Sequence, residues 1–368
     1  MDIIPVANVV TTEEDARAVY EVVKSGWISK GKKVDAFEAD FARVVGARHA
    51  IAVSNGTAAL HVILAALGIG PGDEVVLPSL TFISTANAVL YLGATPVLVE
   101  CAPDTYNVTP EILEAAVTPR TKALVPVDMN GMPVDYNAVL ALGERLGIPV
   151  VSDSAESLGA SYKGRRIGGV SPIGFFSFFP NKTVTTGEGG MITCSDDAFA
   201  ERCRVLLNQG QEGRYNHVAL GFNYRMTDIA AALGIVQLSR LDSIVAEKNN
   251  IVAAYREFLA DAPGVSLPVE PAYVTQHSWY MFAVQVDEAI RDAVVAHLKD
   301  KGVDTRLSFP PIHNQPYYRE RFGSKAEDLP VTWRTWRRLI NLPIWPGLTR
   351  EQIAYVAATL KEAVAACS

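Results

Sequence analysis

Cysteine is scarce in this chain. Cys101, Cys194, Cys203 and Cys367 are the four in 368 residues, they lie far apart, and no CxxC or zinc-type spacing joins them. That excludes a disulfide framework and a thiolate metal site, so no metal is expected and the thiols read as reduced and cytoplasmic. The opening MDIIPVANVVTTEEDA turns acidic where a secretory segment needs an apolar stretch after basic residues. No uninterrupted apolar run reaches the roughly 18 residues of a membrane span. Runs of Lys or Arg are missing too, and the net charge is −7, which argues against a nucleic-acid footprint. A small anionic ligand would therefore need a local site. There is no internal repeat and no low-complexity segment.

What is present is a globular composition, 49% hydrophobic and 20% charged, with ample material for a core. The length exceeds what one core usually fills, so a large domain with a smaller one is expected. Thr11 followed by Glu14 has capping-box spacing and predicts a first helix that Ser25-Gly26 stops. From residue 49 a unit recurs: a short β-branched run, a turn, then an amphipathic stretch. The runs are HAIAV (49–53), EVVLP (74–78), TPVLVE (95–100), ALVPV (123–127) and IPVVSD (148–153), followed by FFSFF (175–179) and GMITC (190–194). Helical stretches fall at 56–68, 83–93, 109–117, 135–146 and 196–208. This alternation predicts a mostly parallel sheet of about seven strands, sandwiched by helices.

A long helical stretch over 228–260, broken near 243, comes next. After Pro263 prolines multiply around one strand-like run (279–286) and helices near 288–302 and 349–366. The expected division is a large α/β domain over 1–250, with an N-terminal helical segment, and a small α+β domain over 251–368.

Ligands of open α/β sheets bind at the carboxyl ends of the strands, so the residues there carry the functional argument. SNGTAAL (54–60) opens a helix, and Gly56 and Thr57 would aim N–H groups and a hydroxyl at a phosphate; a plain N-cap is the alternative. Phe82 in SLTFIS is either core or a ring that stacks on a flat ligand. Asp153 ends a buried strand, where a carboxylate needs a partner such as a protonated pyridine nitrogen, unless it only caps a turn. Lys182 follows a phenylalanine-rich strand holding Ser177 and precedes a glycine-rich turn. Partial desolvation there would lower its pKa and favour an amine able to attack an aldehyde. His61 and His297 fall within helices and read as structural.

Taken in order, SNGTAAL, PSLTF, SDSAES, FSFFPNKTVTTGEGG and GFNYRMTDIAAALGIVQL (221–238) resemble the DegT/DnrJ family of sugar aminotransferases. These depend on pyridoxal 5′-phosphate (PLP) and have fold type I. The resemblance runs from WISKGKKVDAFEADFA (27–42) to INLPIWPGLT (340–349), with a texture like that of the GDP-perosamine synthases. It implies Lys182 as the Schiff-base lysine and Asp153 as partner of the ring nitrogen. It further implies Phe82 as the stacking ring, Gly56, Thr57 and Ser177 around the phosphate, and Glu156 facing the ring hydroxyl. Asn223 matches a residue that reaches the phosphate of a neighbouring subunit, which implies a homodimer with shared active sites.

The implied reaction moves an amino group from an amino acid, L-glutamate, to a nucleotide-linked keto-deoxysugar of the 4-keto-6-deoxyhexose type. A C3 sugar aminotransferase, a cyclitol aminotransferase and a regulatory relative remain alternatives. Trp27, Ser29, Arg225, Arg306 and His313 lie in segments that resemble substrate-facing parts of the family. Asp128 and Asn130 stand where many relatives show His-Leu-Tyr-Gly, and a substrate contact is expected of them. For Arg225 and Arg306 a surface ion pair, and for His313 a buried structural role, are the alternatives.

Overall fold

The computed structural model describes residues 3–367. Helix α1 (Glu13–Ser25) starts one residue later than the Thr11/Glu14 spacing predicts: Thr12 is the N-cap and Asp15 its reciprocal partner. Asp15 is selected because it is buried and also receives Arg240 at 2.6 Å. Gly26 ends the helix in the left-handed region, φ 75°, where glycine carries no Cβ penalty.

The alternation read from the sequence then unfolds as α2 (Lys32–Val45), β1 (His49–Val53), α3 (Gly56–Ala66), β2 (Glu74–Pro78), α4 (Ser84–Tyr91), β3 (Thr95–Val99), α5 (Pro110–Glu114), β4 (Thr121–Leu124), α6 (Tyr136–Leu146) and β5 (Val151–Asp153). Two short strands, β6 (Ser161–Tyr162) and β7 (Arg165–Arg166), precede β8 (Ile173–Ser177), β9 (Gly190–Cys194) and α7 (Asp197–Leu207). Strands β3-β2-β4 form one sheet and β1-β9-β8-β5 another. Parallel bridges Leu124–Val150 and Val127–Asp153 join them edge to edge into a single seven-strand surface. Every residue of β2 and β9 is buried, as strands covered on both faces must be.

Within this seven-strand surface only β9 runs against its neighbours. A direct antiparallel return needs no crossover helix. The segment 178–189 therefore stays a loop above the strand ends, and Lys182 rides on it.

The long helical stretch is two helices, α8 (Asp228–Ser239) and α9 (Leu241–Phe258), bent by 57°. The break falls at Arg240 rather than near 243, where that side chain turns to Asp15. Beyond it come β10 (Val274–Gln276), β11 (Phe282–Gln285), α10 (Arg291–Asp300), α11 (Pro316–Phe322), α12 (Pro330–Arg338), β12 (Leu339–Leu342) and α13 (Arg350–Cys367).

One apolar cluster, with Phe37, Phe41, Phe176 and Phe178, lies on one face of the large sheet, and a second, with Leu60, Ile63 and Phe175, lies on the other. A third joins Tyr255, Phe282, Leu298 and Leu360. Among the described residues no single helix is long and apolar enough to cross a membrane.

Candidate active site

The parallel strands finish on one edge of the sheet, and the segments leaving β1, β2, β5 and β8 meet there at a cavity of about 580 Å3. That volume suits a small molecule. Gly56, Thr57, Phe82, Asp153, Glu156, Ser177, Lys182 and Arg306, all singled out in the sequence, line it.

Asp153 closes the floor at 4% exposure. Thr85 Oγ1 donates to its Oδ2 at 2.9 Å, and the Ala155 N–H donates to Oδ1 at 3.2 Å. Burial pushes the carboxyl up to about 6, against the pull of those two donors and the Lys182 charge. Glu156 accepts the Asn130 N–H at 2.8 Å. Its other oxygen stands 3.6 Å from Lys182 Nζ, and burial raises its pKa too.

Lys182 Nζ sits 3.9 Å from the centre of the Tyr280 ring. The sequence led us to expect a lowered lysine pKa. Burial does pull it down, as the largest single influence, but Tyr280, Glu156 and Asp153 together lift it above the ordinary lysine value. The phenylalanines beside Lys182 in sequence are apolar; the acidic groups beside it in space come from the end of β5 and are invisible to a local reading.

Asn55 caps α3, its Oδ1 accepting from the Ala58 N–H at 2.8 Å, so the plain N-cap reading of the turn holds. Gly56 and Thr57 still line the cavity at the positive end of that helix. A Cβ on Gly56 would lie 3.0 Å from the Ser177 Cβ, and one on Gly190 only 2.6 Å from the Asn55 carbonyl carbon. Glycine at both positions lets the β1 and β9 turns touch, which sets Gly56 and Ser177 on one wall. Phe82 is 53% exposed, so the core alternative fails for it. Its ring faces the cavity beside Phe309, with centroids 5.2 Å apart.

The remaining candidates lie elsewhere. Asp128, expected at substrate, is fully buried: its carboxylate accepts from Tyr136 Oη at 2.8 Å, Ser157 Oγ at 2.6 Å, Ser154 Oγ at 3.1 Å and the Val134 N–H at 3.0 Å. Asn130 is buried and does not line the cavity; its contribution is the N–H given to Glu156. His313 is also buried, its ring held between Ser79 Oγ at 2.7 Å and the Ala326 carbonyl at 3.2 Å, so it has the structural role and not a sugar contact.

Trp27 donates from Nε1 to the Lys30 carbonyl at 3.2 Å, and the Ser29 carbonyl accepts the Asp228 N–H at 3.0 Å. Arg225 is tied to Asn223 at 2.7 Å and to Asn208. All four, Trp27, Ser29, Asn223 and Arg225, are outside this cavity. His61 is buried against Phe222 but reaches the cavity wall.

Tyr280 and Thr85 escaped the sequence reading. Tyr280 was hidden in a run read only as strand; Thr85 follows Phe82 by three residues, a spacing that brings both to one helix entrance.

This donor set fits PLP: an amine for its aldehyde, a buried carboxylate for its ring nitrogen, an open aromatic face and a helix start for its phosphate. The chain is similar over nearly its whole length to solved aminotransferase structures. It is 36% identical to DesV of S. venezuelae, solved in complex with a ketimine intermediate, covering 98% of each chain at a TM-score of 0.95. It is 35% identical to the aminotransferase TlmJ from Streptoalloteichus hindustanus, over 99% of both chains, with a TM-score of 0.93. Spr1654 from Streptococcus pneumoniae in its PLP form matches at 28% identity, 100% coverage of both chains and a TM-score of 0.94. Residues 10–361 match the model of one family, and the chain accordingly belongs to the DegT/DnrJ/EryC1/StrS aminotransferase family, whose members are PLP-dependent enzymes.

Proposed function

We propose that this aminotransferase takes an amino group from L-glutamate and delivers it to a nucleotide-linked keto-deoxysugar, a 4-keto-6-deoxyhexose as in GDP-perosamine formation. The observation that carries the reading is the convergence of Lys182, Asp153 and Glu156 with the α3 N-terminus on one cavity.

PLP, when bound, supplies an electron sink beside the carbon that loses or gains its proton. Lys182 would hold the cofactor through its amine and would supply the base that takes and returns a proton at the substrate carbon. Asp153 would favour a protonated ring nitrogen, with Thr85 fixing the direction of its carboxylate. Phe82 would cover the ring, and Glu156 would lie at its hydroxyl. Gly56, Thr57 and Ser177 would hold the phosphate through charge-assisted hydrogen bonds. Arg306, exposed at the cavity and free of any ion pair among the described residues, receives an anionic group of the substrate.

The protein works as a homodimer in which Asn223 reaches the other subunit's phosphate, and Trp27, Ser29 and Arg225 serve the other subunit's substrate. Supporting this, the Asn223 segment and the Trp27 loop expose Leu220 (91%), Tyr215 (77%) and Trp27 (66%), an apolar surface that a second subunit would cover.

The test is a substrate panel for PLP-loaded protein with L-glutamate: GDP- and dTDP-linked 4-keto sugars, 3-keto sugars and free keto-cyclitols, read by mass spectrometry. Amination of a nucleotide-linked 4-keto sugar supports the reading. Turnover confined to 3-keto sugars or cyclitols overturns it.

A further inference from the structure

Lys248 lies on α9 at 4% exposure, yet it has no ion pair and no side-chain hydrogen bond among the described residues. Lysines are seldom fully buried without a partner, because removing an ammonium from water is costly. Its side chain lines a cavity of about 40 Å3, with room for one small ion or a few waters. This chamber adjoins the active cavity, and Asn181, Lys182 and Tyr280 line both.

Two further donors meet Lys248 there. The Thr183 hydroxyl and the Asn181 amide line the chamber, and neither has a hydrogen-bond partner among the described residues. Asn181 Oδ1 is buried without one, and a half-turn of that amide puts its N–H group in the same place. The other polar neighbour, Gln237, is engaged, its Nε2 donating to the Val10 carbonyl and to Asp15 Oδ1, each at 3.2 Å. The lining holds two lysines and, among the described residues, no Asp or Glu. Lys182 has Glu156 at 3.6 Å, so the charge left without a counter-ion is that of Lys248. Residues 7–10 form the wall toward solvent, with Val9 43% exposed, and an ion can enter past them.

We propose that this chamber binds a small monovalent anion of chloride size as the counter-ion of Lys248. An ammonium, a hydroxyl and an amide N–H are hydrogen-bond donors that an anion satisfies together, whereas water would leave the buried charge unopposed. The chamber is too small for a substrate, and the inference does not depend on which acceptor the enzyme uses.

Lys182 and Tyr280 face Lys248 across the chamber, and His277 faces it from the segment before β11. Asp15, beyond Gln237, is already paired with Arg240 at 2.6 Å. Burial, with Arg256 and Lys248, holds His277 down to about 3, so it stays neutral. Burial and the Lys182 charge hold Lys248 down to about 8. Lys248 is therefore cationic at pH 7, and anion binding should fade as pH climbs past that value.

The experiment compares wild type with Lys248→Met, or with Lys248→Gln if the methionine chain does not fold. Crystals of PLP-loaded protein soaked in sodium bromide should show an anomalous bromine peak in the chamber, absent from the uncharged variant. In solution at pH 7, replacing gluconate by chloride at constant ionic strength should raise the wild-type unfolding midpoint saturably, by about 2 °C at ten times the dissociation constant. The shift should shrink at pH 10 and be missing in the variant. A wild-type chamber that holds only water overturns the proposal, as does a bromide peak with no shift in solution or an equal shift in the uncharged variant. Neither readout involves turnover, so failure of the proposed acceptor would leave this result standing.

Discussion

The Lys182 amine and the Glu156 carboxylate stand 3.6 Å apart, with side chains 12% and 6% exposed. In so dry a setting a neighbouring anion strongly favours the protonated lysine. Glu156→Gln should therefore shift the pH titration of the PLP-loaded protein's visible absorbance downward. A midpoint that stays or rises would show that Glu156 does not govern this amine.

Lys182→Ala should leave a folded protein that binds PLP without covalent attachment. Turnover should fall by about 10³-fold, since both the attachment and the proton transfer are lost. Borohydride reduction followed by peptide mapping, with steady-state rates, checks this; wild-type protein labelled at another lysine would contradict the assignment.

The floor carboxylate makes PLP binding pH-dependent. Burial holds the Asp153 carboxyl up to about 6 in the fold, against an ordinary 3.8, so across that window the folded protein holds more protons than the unfolded chain. The stability this group contributes is complete below about 3.8 and is lost as pH rises through about 6. A protonated ring nitrogen beside Asp153 removes that loss. The melting-temperature difference between PLP-loaded and PLP-free protein should widen from about pH 5 to about pH 8, and Asp153→Asn should flatten it. Thermal unfolding at the two pH values decides.

The proposed sharing of active sites between subunits predicts complementation. Asn223→Ala and Lys182→Ala, each poorly active alone, should regain about a quarter of wild-type activity once their subunits are exchanged at equal amounts, because half the dimers then contain one intact site. Absence of recovery after proven subunit exchange would separate Asn223 from the neighbouring site.

Phe82→Ala should weaken PLP binding about fivefold, corresponding to roughly 1 kcal/mol of ring stacking, with little change in the melting temperature of the PLP-free protein. Absorbance or fluorescence titration with PLP measures it.

The recurring strand and helix units were legible because nearly continuous apolar runs such as EVVLP allow few other arrangements. The cavity's strand-end residues were legible for a related reason: each follows the strand that delivers it, as Asp153 follows β5. What could not be seen was lateral proximity. The Lys182 pKa was misjudged because Glu156 and Asp153 lie 26 and more residues away in sequence, and Tyr280 almost a hundred. Asp128 and His313 were taken for substrate contacts because a polar residue at a strand end or in a loop looks available. Nothing local reveals that Tyr136 and two serines, or Ser79 and Ala326, have already engaged them. The α1 cap slipped by one residue for the same reason, Arg240 choosing between two acidic neighbours from a distant helix.

The Asp128 cluster has a consequence for how this enzyme can diversify. One carboxylate fastens the exit of β4, the start of α6 and the turn that bears Glu156, so the cofactor's bed is cast as a single block. Sequence drift there would disturb all three at once. Arg306 and Phe309 have no such hydrogen bonds to that block among the described residues, so if the acceptor lies against that wall, as proposed, descendants of this chain can exchange one acceptor for another there while the machinery for moving the amino group stays as it is.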